Sequence, residues 1–248
     1  MQDIKQYLDS TYLKKPKQAG LTKAENTQVA TKFIQEAIDE NFKLIMIRPE
    51  IVSIARELID KAQSKVLVGT VIDFPKGKSE VTEKLKVAQL AIDNGADELD
   101  YVINYRAFKK GEIQLVKDEV IQCTALGLQD NCVVKWIIEV AALKENQIAQ
   151  ISALIKNTIM ANFSEKDYQN VFVKSSTGFF KTKDNLPNGA TIPSITIMPE
   201  NASPLPIKAA GGVRSLDEAI QMIKLGVKRI GTSSAKAIVS DTKSSSDY

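Results

Sequence analysis

The chain has 248 residues, which at about 150 residues per domain fits one large domain or two small ones. Its composition, 44% apolar and 25% charged with 12 Gly and 8 Pro, is ordinary for a globular protein and excludes disorder, collagen and low-complexity sequence. A formal net charge of +3 with both signs mixed speaks against a nucleic-acid or membrane-surface binder, and the absence of histidine removes Ser-His-Asp and Cys-His nucleophile systems and His-ligated metal sites.

The N-terminal MQDIKQYLDS lacks the apolar stretch of a signal peptide. Cys123 and Cys132 are too few for a disulfide framework or a zinc ribbon, so a reducing cytoplasm is expected. Apolar stretches fall far short of the ~18 residues that would span a bilayer. A weak strand is expected over 7–13, and the run Lys14-Lys15-Pro16-Lys17 reads as solvated loop. Residues 23–40, 49–63 and 79–94 place apolar side chains at helical spacing and end at turn-forming steps, so they read as covering helices. Between them, 44–47, 65–72 and 98–103 are short and rich in branched residues, as buried strands are. Strands follow near 133–140, 171–175, 207–210 and 228–230, with helices near 144–162 and 215–225. Residues 180–206 are rich in proline without a clean helical period, so the helix after the sixth strand is expected to be short or poorly formed. Residues 241–248 read as a flexible tail behind a single domain over 1–240.

Strands alternating with helices imply crossovers and a parallel sheet, and about eight such units in this length favour an α/β (β/α)8 TIM barrel. A doubly wound open sheet is the alternative on this pattern.

Barrel strands are nearly all apolar, so Asp100, Lys135, Glu139, Lys174 and Lys208 inside strand patterns are costly placements. Catalytic groups of such barrels gather at the C-terminal strand ends, and Lys174 and Lys208 fall on neighbouring strands six and seven. Two ammonium groups on adjacent strands, roughly 5 Å apart, repel by ~3 kcal/mol at an effective dielectric of ~20, or about two pKa units. That repulsion brings one lysine near pKa ~8 and leaves roughly a tenth of it neutral at pH 7, enough to attack a carbonyl and form a Schiff base. Asp100 is then placed to shuttle protons through a bound water.

The Gly-rich turns at Gly211-Gly212-Val213 and Gly231-Thr232-Ser233-Ser234 are expected to follow strands seven and eight and to expose backbone N–H groups at helix starts. Barrels commonly bind phosphate there. Gly211, Gly212, Gly231, Ser233 and Ser234 are therefore the expected anion site, with little help from long basic side chains.

The segments LVGTVIDFPKG, NGADELDYVINYRA, VVKWIIE, VFVKSSTGF, IKAAGGVRS and RIGTSS resemble, in order and spacing, the deoxyribose-phosphate aldolase family over roughly residues 7–236. The resemblance implies a (β/α)8 barrel and a class I aldolase, without metal or other cofactor, that reversibly cleaves 2-deoxy-D-ribose 5-phosphate to acetaldehyde and D-glyceraldehyde 3-phosphate. It places the Schiff-base lysine at Lys174, its partner lysine at Lys208, the aspartate at Asp100, a supporting polar residue at Lys135 and a substrate-site glycine at Gly178. Some members end in a Ser-rich segment closing with Tyr whose hydroxyl assists proton transfer, which implies the same role for Tyr248. Ser10, Met46 and Val140 depart from the usual residues, and Phe179 stands where some members carry a basic side chain. These departures bear on pocket shape and substrate breadth. Two other readings stay open: a different Schiff-base barrel using a ketone donor, and a phosphosugar-binding protein without turnover. The expected partners are small phosphorylated sugar and aldehyde substrates and a second copy of the chain in a homodimer, with neither nucleic acid nor membrane.

Overall fold

Runs such as LVGTVI put branched side chains on both faces of a strand, and such a strand is stable only where both faces are covered. The computed structural model describes residues 3–183 and 186–241. Among them, β1 (Leu8–Thr11), β2 (Leu44–Ile47), β3 (Leu67–Ile72), β4 (Glu98–Val102), β5 (Val133–Ile137), β6 (Val171–Lys174), β7 (Ile207–Ala210) and β8 (Arg229–Thr232) pair in chain order, all parallel, and β8 closes on β1. The protein is a single-domain (β/α)8 barrel, and the open-sheet alternative is excluded by that closure.

The helices are α1 (Pro16–Ala19), α2 (Lys23–Glu40), α3 (Val52–Lys61), α4 (Val81–Asp93), α5 (Tyr105–Lys110), α6 (Ile113–Gln129), α7 (Glu145–Asn162), α8 (Ile192–Ala202), α9 (Leu216–Lys224) and α10 (Ala235–Val239). Their starts are chemically marked. Thr22 before α2 and Ser215 before α9 accept the backbone N–H three residues on, while Glu25 and Glu218 reach back to the cap N–H. The buried stripes of these helices, for example Ile34 and Ala37 of α2, pack on the outward faces of the strands in one continuous apolar shell.

The barrel interior is divided. On the β2 and β3 side, Leu44, Met46 and Val71 form an apolar cluster with Leu13, against which Phe74 and Phe179 pack. The remaining strands fill the interior with charge.

Four expectations are corrected. The proline-rich 180–206 segment holds a regular eleven-residue helix, α8: Pro193 lies in its first turn, where no helical N–H bond is lost, and Ile195, Met198 and Ala202 bury its inner face despite Pro199. Residues 105–129, where the periodicity names no helix, form α5 and α6. The latter is apolar on most sides, which blurs the 3.6-residue pattern. β5 ends at Ile137, so Glu139 lies beyond the strand, at φ 58°. Pro16 starts a short helix within the run expected to be loop. Residues 242–248, with the expected tail, lie outside the described residues. Among the described residues no helix is long and apolar enough to cross a membrane.

Candidate active site

The strand register sets the site. Asp100 of β4 lies beside Lys135 of β5, Lys174 of β6 beside Lys208 of β7, and Lys208 in turn beside Arg229 of β8. Alternation turns these side chains to the interior, where the curvature of the barrel makes them converge. Asp100 is the hub: its Oδ1 accepts from Lys135 Nζ at 2.8 Å, and its Oδ2 accepts from Lys174 Nζ at 2.7 Å and Lys208 Nζ at 2.9 Å. Lys135 also pairs with Glu98, Lys208 pairs with Asp9 Oδ2 at 2.5 Å, and Arg229 bridges Asp9 and Glu98, the latter through two bonds of 2.9 and 3.1 Å. Asp9, Asp100, Lys135 and Lys208 are 0% exposed, so the network is shielded from bulk solvent.

Charge counting singles out one lysine. Asp9, Glu98 and Asp100 offer three negative charges against four positive ones on Lys135, Lys174, Lys208 and Arg229. An unbalanced charge in a buried interior costs several kcal/mol, so the group that most easily sheds a proton does so. Burial is the main force pushing Lys174 down; the pull of Asp100 opposes it, Lys208 and Lys135 add repulsion, and the result is about 8. Repulsion from Lys208 is thus the lesser cause, behind loss of hydration, which corrects the weight given to it from sequence. Burial also disfavours charge on Lys135 and Asp100. Asp100 and Glu98 nevertheless hold Lys135 above its ordinary value, and Lys135, Lys174 and Lys208 hold Asp100 well below the usual carboxylate range. Asp9 is likewise lowered, because Arg229, Lys208 and Lys135 outweigh its burial.

Lys174 alone of these seven opens into the cleft at the C-terminal mouth of the barrel. Thr11 and Leu13 line it from the β1 side, Thr177, Gly178 and Asn188 from the loop after β6, Ala210 to Arg214 from the loop after β7, and Gly231, Thr232 and Ser233 from the β8 side. The β6 and β7 loops touch backbone to backbone: a Cβ on Gly189 would sit 2.2 Å from the carbonyl oxygen of Gly211, and Ala190 N–H donates to both Ala210 O and Gly211 O. Gly211 and Gly212, at φ 79° and 87°, have a left-handed backbone that side chains resist, and their loop curls over the cleft.

The expected anion site changes in detail. Gly231 lies within β8, and α9 begins only after Ser215, so the Gly211-Gly212 turn is not itself a helix start. Ser233 faces the cleft. Ser234 does not line it: it is buried, its N–H donates to Thr232 Oγ1, and it precedes α10. Arg214 rims the cleft, so a long basic side chain is present after all. Gly178 lines the cleft and Phe179 packs edge-on to Phe74 at 5.1 Å. Met46 belongs to the apolar half of the interior, and Ser10 and Val140 are buried. Tyr248 lies outside the described residues.

Asp9, Glu98 and Arg229 complete the network although sequence reasoning named none of them. The signal was available, since each is a charge within or at the edge of a strand pattern. Glu139, singled out only as a costly charge, accepts from Thr177 Oγ1 at 2.5 Å and from Thr177 N–H at 3.3 Å. Burial raises it to about 7 against those bonds and the nearby Lys174 and Arg106.

Comparison with known proteins agrees with this geometry. The model of the DeoC/LacD family of aldolases matches residues 6–240. The deoxyribose-phosphate aldolase of Thermococcus gammatolerans is 35% identical over 96% of this chain and 95% of its own length. Deoxyribose-phosphate aldolase 1 of Staphylococcus aureus is 34% identical over 99% of each chain. Among solved structures, the tetrameric deoxyribose phosphate aldolase of Aeropyrum pernix superposes with a TM-score of 0.76 at 25% identity, covering 96% of this chain and 90% of that one.

Proposed function

The chain belongs to the DeoC/LacD family of aldolases and is a carbon–carbon lyase, and from that premise we propose that it reversibly cleaves 2-deoxy-D-ribose 5-phosphate to acetaldehyde and D-glyceraldehyde 3-phosphate through a Schiff base on Lys174. The observation that carries the reading is that Lys174 is the network cation facing the cleft, and burial there lowers it to about 8. A neutral Lys174 adds to the C1 aldehyde and loses water to form an iminium. The iminium then draws in the electron pair of the C2–C3 bond as the C3 hydroxyl loses its proton and becomes the new aldehyde. The remaining enamine takes a proton at C2, and water releases acetaldehyde.

Lys208 and Lys135 act on Lys174 through the field and through Asp100. Asp100 holds the three lysines in place, tempers the fall in Lys174 basicity, and from there shuttles protons through a water bound beside Lys174. Gly178, Gly211, Gly212 and Ser233, with Arg214 at the rim, form the wall for the phosphate. A homodimer and a cytoplasmic location belong to the same reading, and sedimentation measures the first.

The test is direct turnover. Incubation with 2-deoxyribose 5-phosphate should release acetaldehyde and glyceraldehyde 3-phosphate in equal amounts, followed by proton NMR. Cleavage only of sugars that yield dihydroxyacetone phosphate would move the enzyme to the ketone-donor class. Tight binding without products would make it a phosphosugar-binding protein.

A further inference from the structure

The phosphate wall and the apolar cluster stand on opposite sides of the barrel mouth. Gly178, Gly211, Gly212 and Ser233 come from the β6 to β8 side, whereas Leu13 reaches from β1 onto Leu44, Met46 and Val71 of β2 and β3, across the closed barrel. Leu13 belongs both to this cluster and to the cleft wall. It is 2% exposed, and the segment that carries it is pinned at three successive residues. Tyr12 N–H donates to Met46 O at 2.9 Å, Leu13 O accepts from Arg48 Nε at 2.8 Å, and Lys14 O accepts from Asn26 Nδ2 at 3.2 Å.

Arg48 follows β2 directly and is 7% exposed. Besides holding Leu13, its Nη1 donates to Phe74 O at 3.3 Å, and its guanidinium carbon lies 5.0 Å from the centre of the Phe74 ring. Phe179 meets that ring edge-on. Asp73 fixes the same loop from behind: it accepts from Ser79 N–H at 2.7 Å and Ser79 Oγ at 2.9 Å, and it pairs at 3.3 Å with Lys84, a buried cation outside the catalytic network. One planar cation thus ties the β1 loop to the β3 loop. A guanidinium suits the task, because its fork reaches two carbonyls while its face covers a ring, and a lysine ammonium cannot do both.

We propose that Leu13, held in place by Arg48, selects the carbonyl donor, admitting an aldehyde and rejecting a ketone. This rests on the Schiff-base reading above. The iminium carbon C1 is planar and bears the Lys174 nitrogen, C2 and one further substituent. With the chain running from C1 through C2 toward the phosphate wall, the further substituent points away from that wall, to the side where Leu13 stands. In acetaldehyde it is a hydrogen. In a ketone it is a carbon, which must displace a leucine whose backbone is pinned and whose neighbours Leu44 and Met46 are fully buried. Close-packed interiors resist even one added methyl group. Leu13 touches the donor, and Arg48 is a positioning residue that acts through it.

The experiment offers acetaldehyde and acetone together and traps them on the protein with borohydride. In each case the neutral Lys174 amine adds to the carbonyl carbon, water leaves, and hydride from borohydride adds to the iminium carbon. The product is an ethyl or an isopropyl group, and mass spectrometry reads their ratio on the peptide that carries Lys174. Leu13→Ala should raise the isopropyl-to-ethyl ratio about tenfold or more over the unaltered protein, and Arg48→Met should raise it severalfold. Arg48→Lys keeps the charge without the fork and should match Arg48→Met. A general loosening of the fold would lower both adducts together and leave the ratio where it was. The selector is overturned if Leu13→Ala keeps the original ratio, and the role of Arg48 is overturned if Arg48→Met or Arg48→Lys keeps it. Absence of both adducts in the unaltered protein would instead remove the Schiff-base reading, and the selector with it.

Discussion

Replacing Lys208 by Leu isolates the effect of one charge on Lys174. Both lysine nitrogens reach the same Asp100 oxygen, at 2.7 and 2.9 Å, which places them roughly 5 Å apart. At an effective dielectric of ~20 their repulsion is ~3 kcal/mol, equivalent to about two pKa units. Leucine fills much of the same volume, and Asp9 retains Arg229 while Asp100 retains Lys135 and Lys174. Without Lys208 the network holds three positive and three negative charges, so burial, opposed by the pull of Asp100, is the main force still lowering Lys174. Lys174 should then rise from about 8 to near ~10, and its neutral fraction at pH 7 should fall from about a tenth to about a thousandth. The assay is the initial rate of borohydride trapping of acetaldehyde, read by mass spectrometry from pH 6 to 11. Because the neutral amine is the nucleophile, trapping rises with pH through the lysine's pKa. The midpoint should move from about 8 to about 10, with a loss of about a hundredfold at pH 7 that disappears at high pH. An unmoved midpoint would refute the coupling between the two lysines, and a loss equal at every pH would show displacement of Lys174 instead.

Asp100→Asn should act with the opposite sign on Lys174. Loss of the carboxylate that favours its charge lowers the midpoint below about 8, and three lysines facing a neutral amide should cost about 3–5 kcal/mol, lowering Tm by roughly 10 °C in calorimetry. Ser233→Asp adds a negative charge in the cleft and should weaken the phosphorylated sugar more than tenfold while changing unphosphorylated 2-deoxyribose little; equal losses in KM for both would put the phosphate elsewhere. Burial pushes the Cys123 thiol up to about 12 and the Cys132 thiol to about 11, so the folded protein at pH 8 should react slowly with a maleimide and both thiols should react at once in denaturant.

The barrel was legible because its signal is repetitive: branched runs such as VIDF and VFVK alternate with amphipathic stretches, and each unit supports the reading of the next. The site was legible for a different reason. Lys174, Lys208, Asp100 and Lys135 sit where apolar residues belong, and only convergence from neighbouring strands compensates such placements. What sequence does not reveal is the balance among these groups. Asp9, Glu98 and Arg229 lie at strand edges, where a charge is usually solvated, so their closure of the network emerges only when the barrel closes. For the same reason, repulsion from Lys208 looked like the main cause of the shift in Lys174, whereas the depth of burial, invisible in one dimension, is larger. Glu139 was singled out as a strand charge, whereas β5 ends at Ile137 and a left-handed turn carries Glu139 to Thr177. The proline-rich α8 escaped because Pro193 in a first turn is favourable while proline in general reads as a breaker.

The most direct measurement of the central claim is reductive trapping followed by peptide mapping. Acetaldehyde and borohydride should leave a single ethyl group on the peptide that carries Lys174, and the modified protein should be inactive on 2-deoxyribose 5-phosphate. An ethyl group on Lys208 or Lys135, or full activity with Lys174 modified, would contradict it.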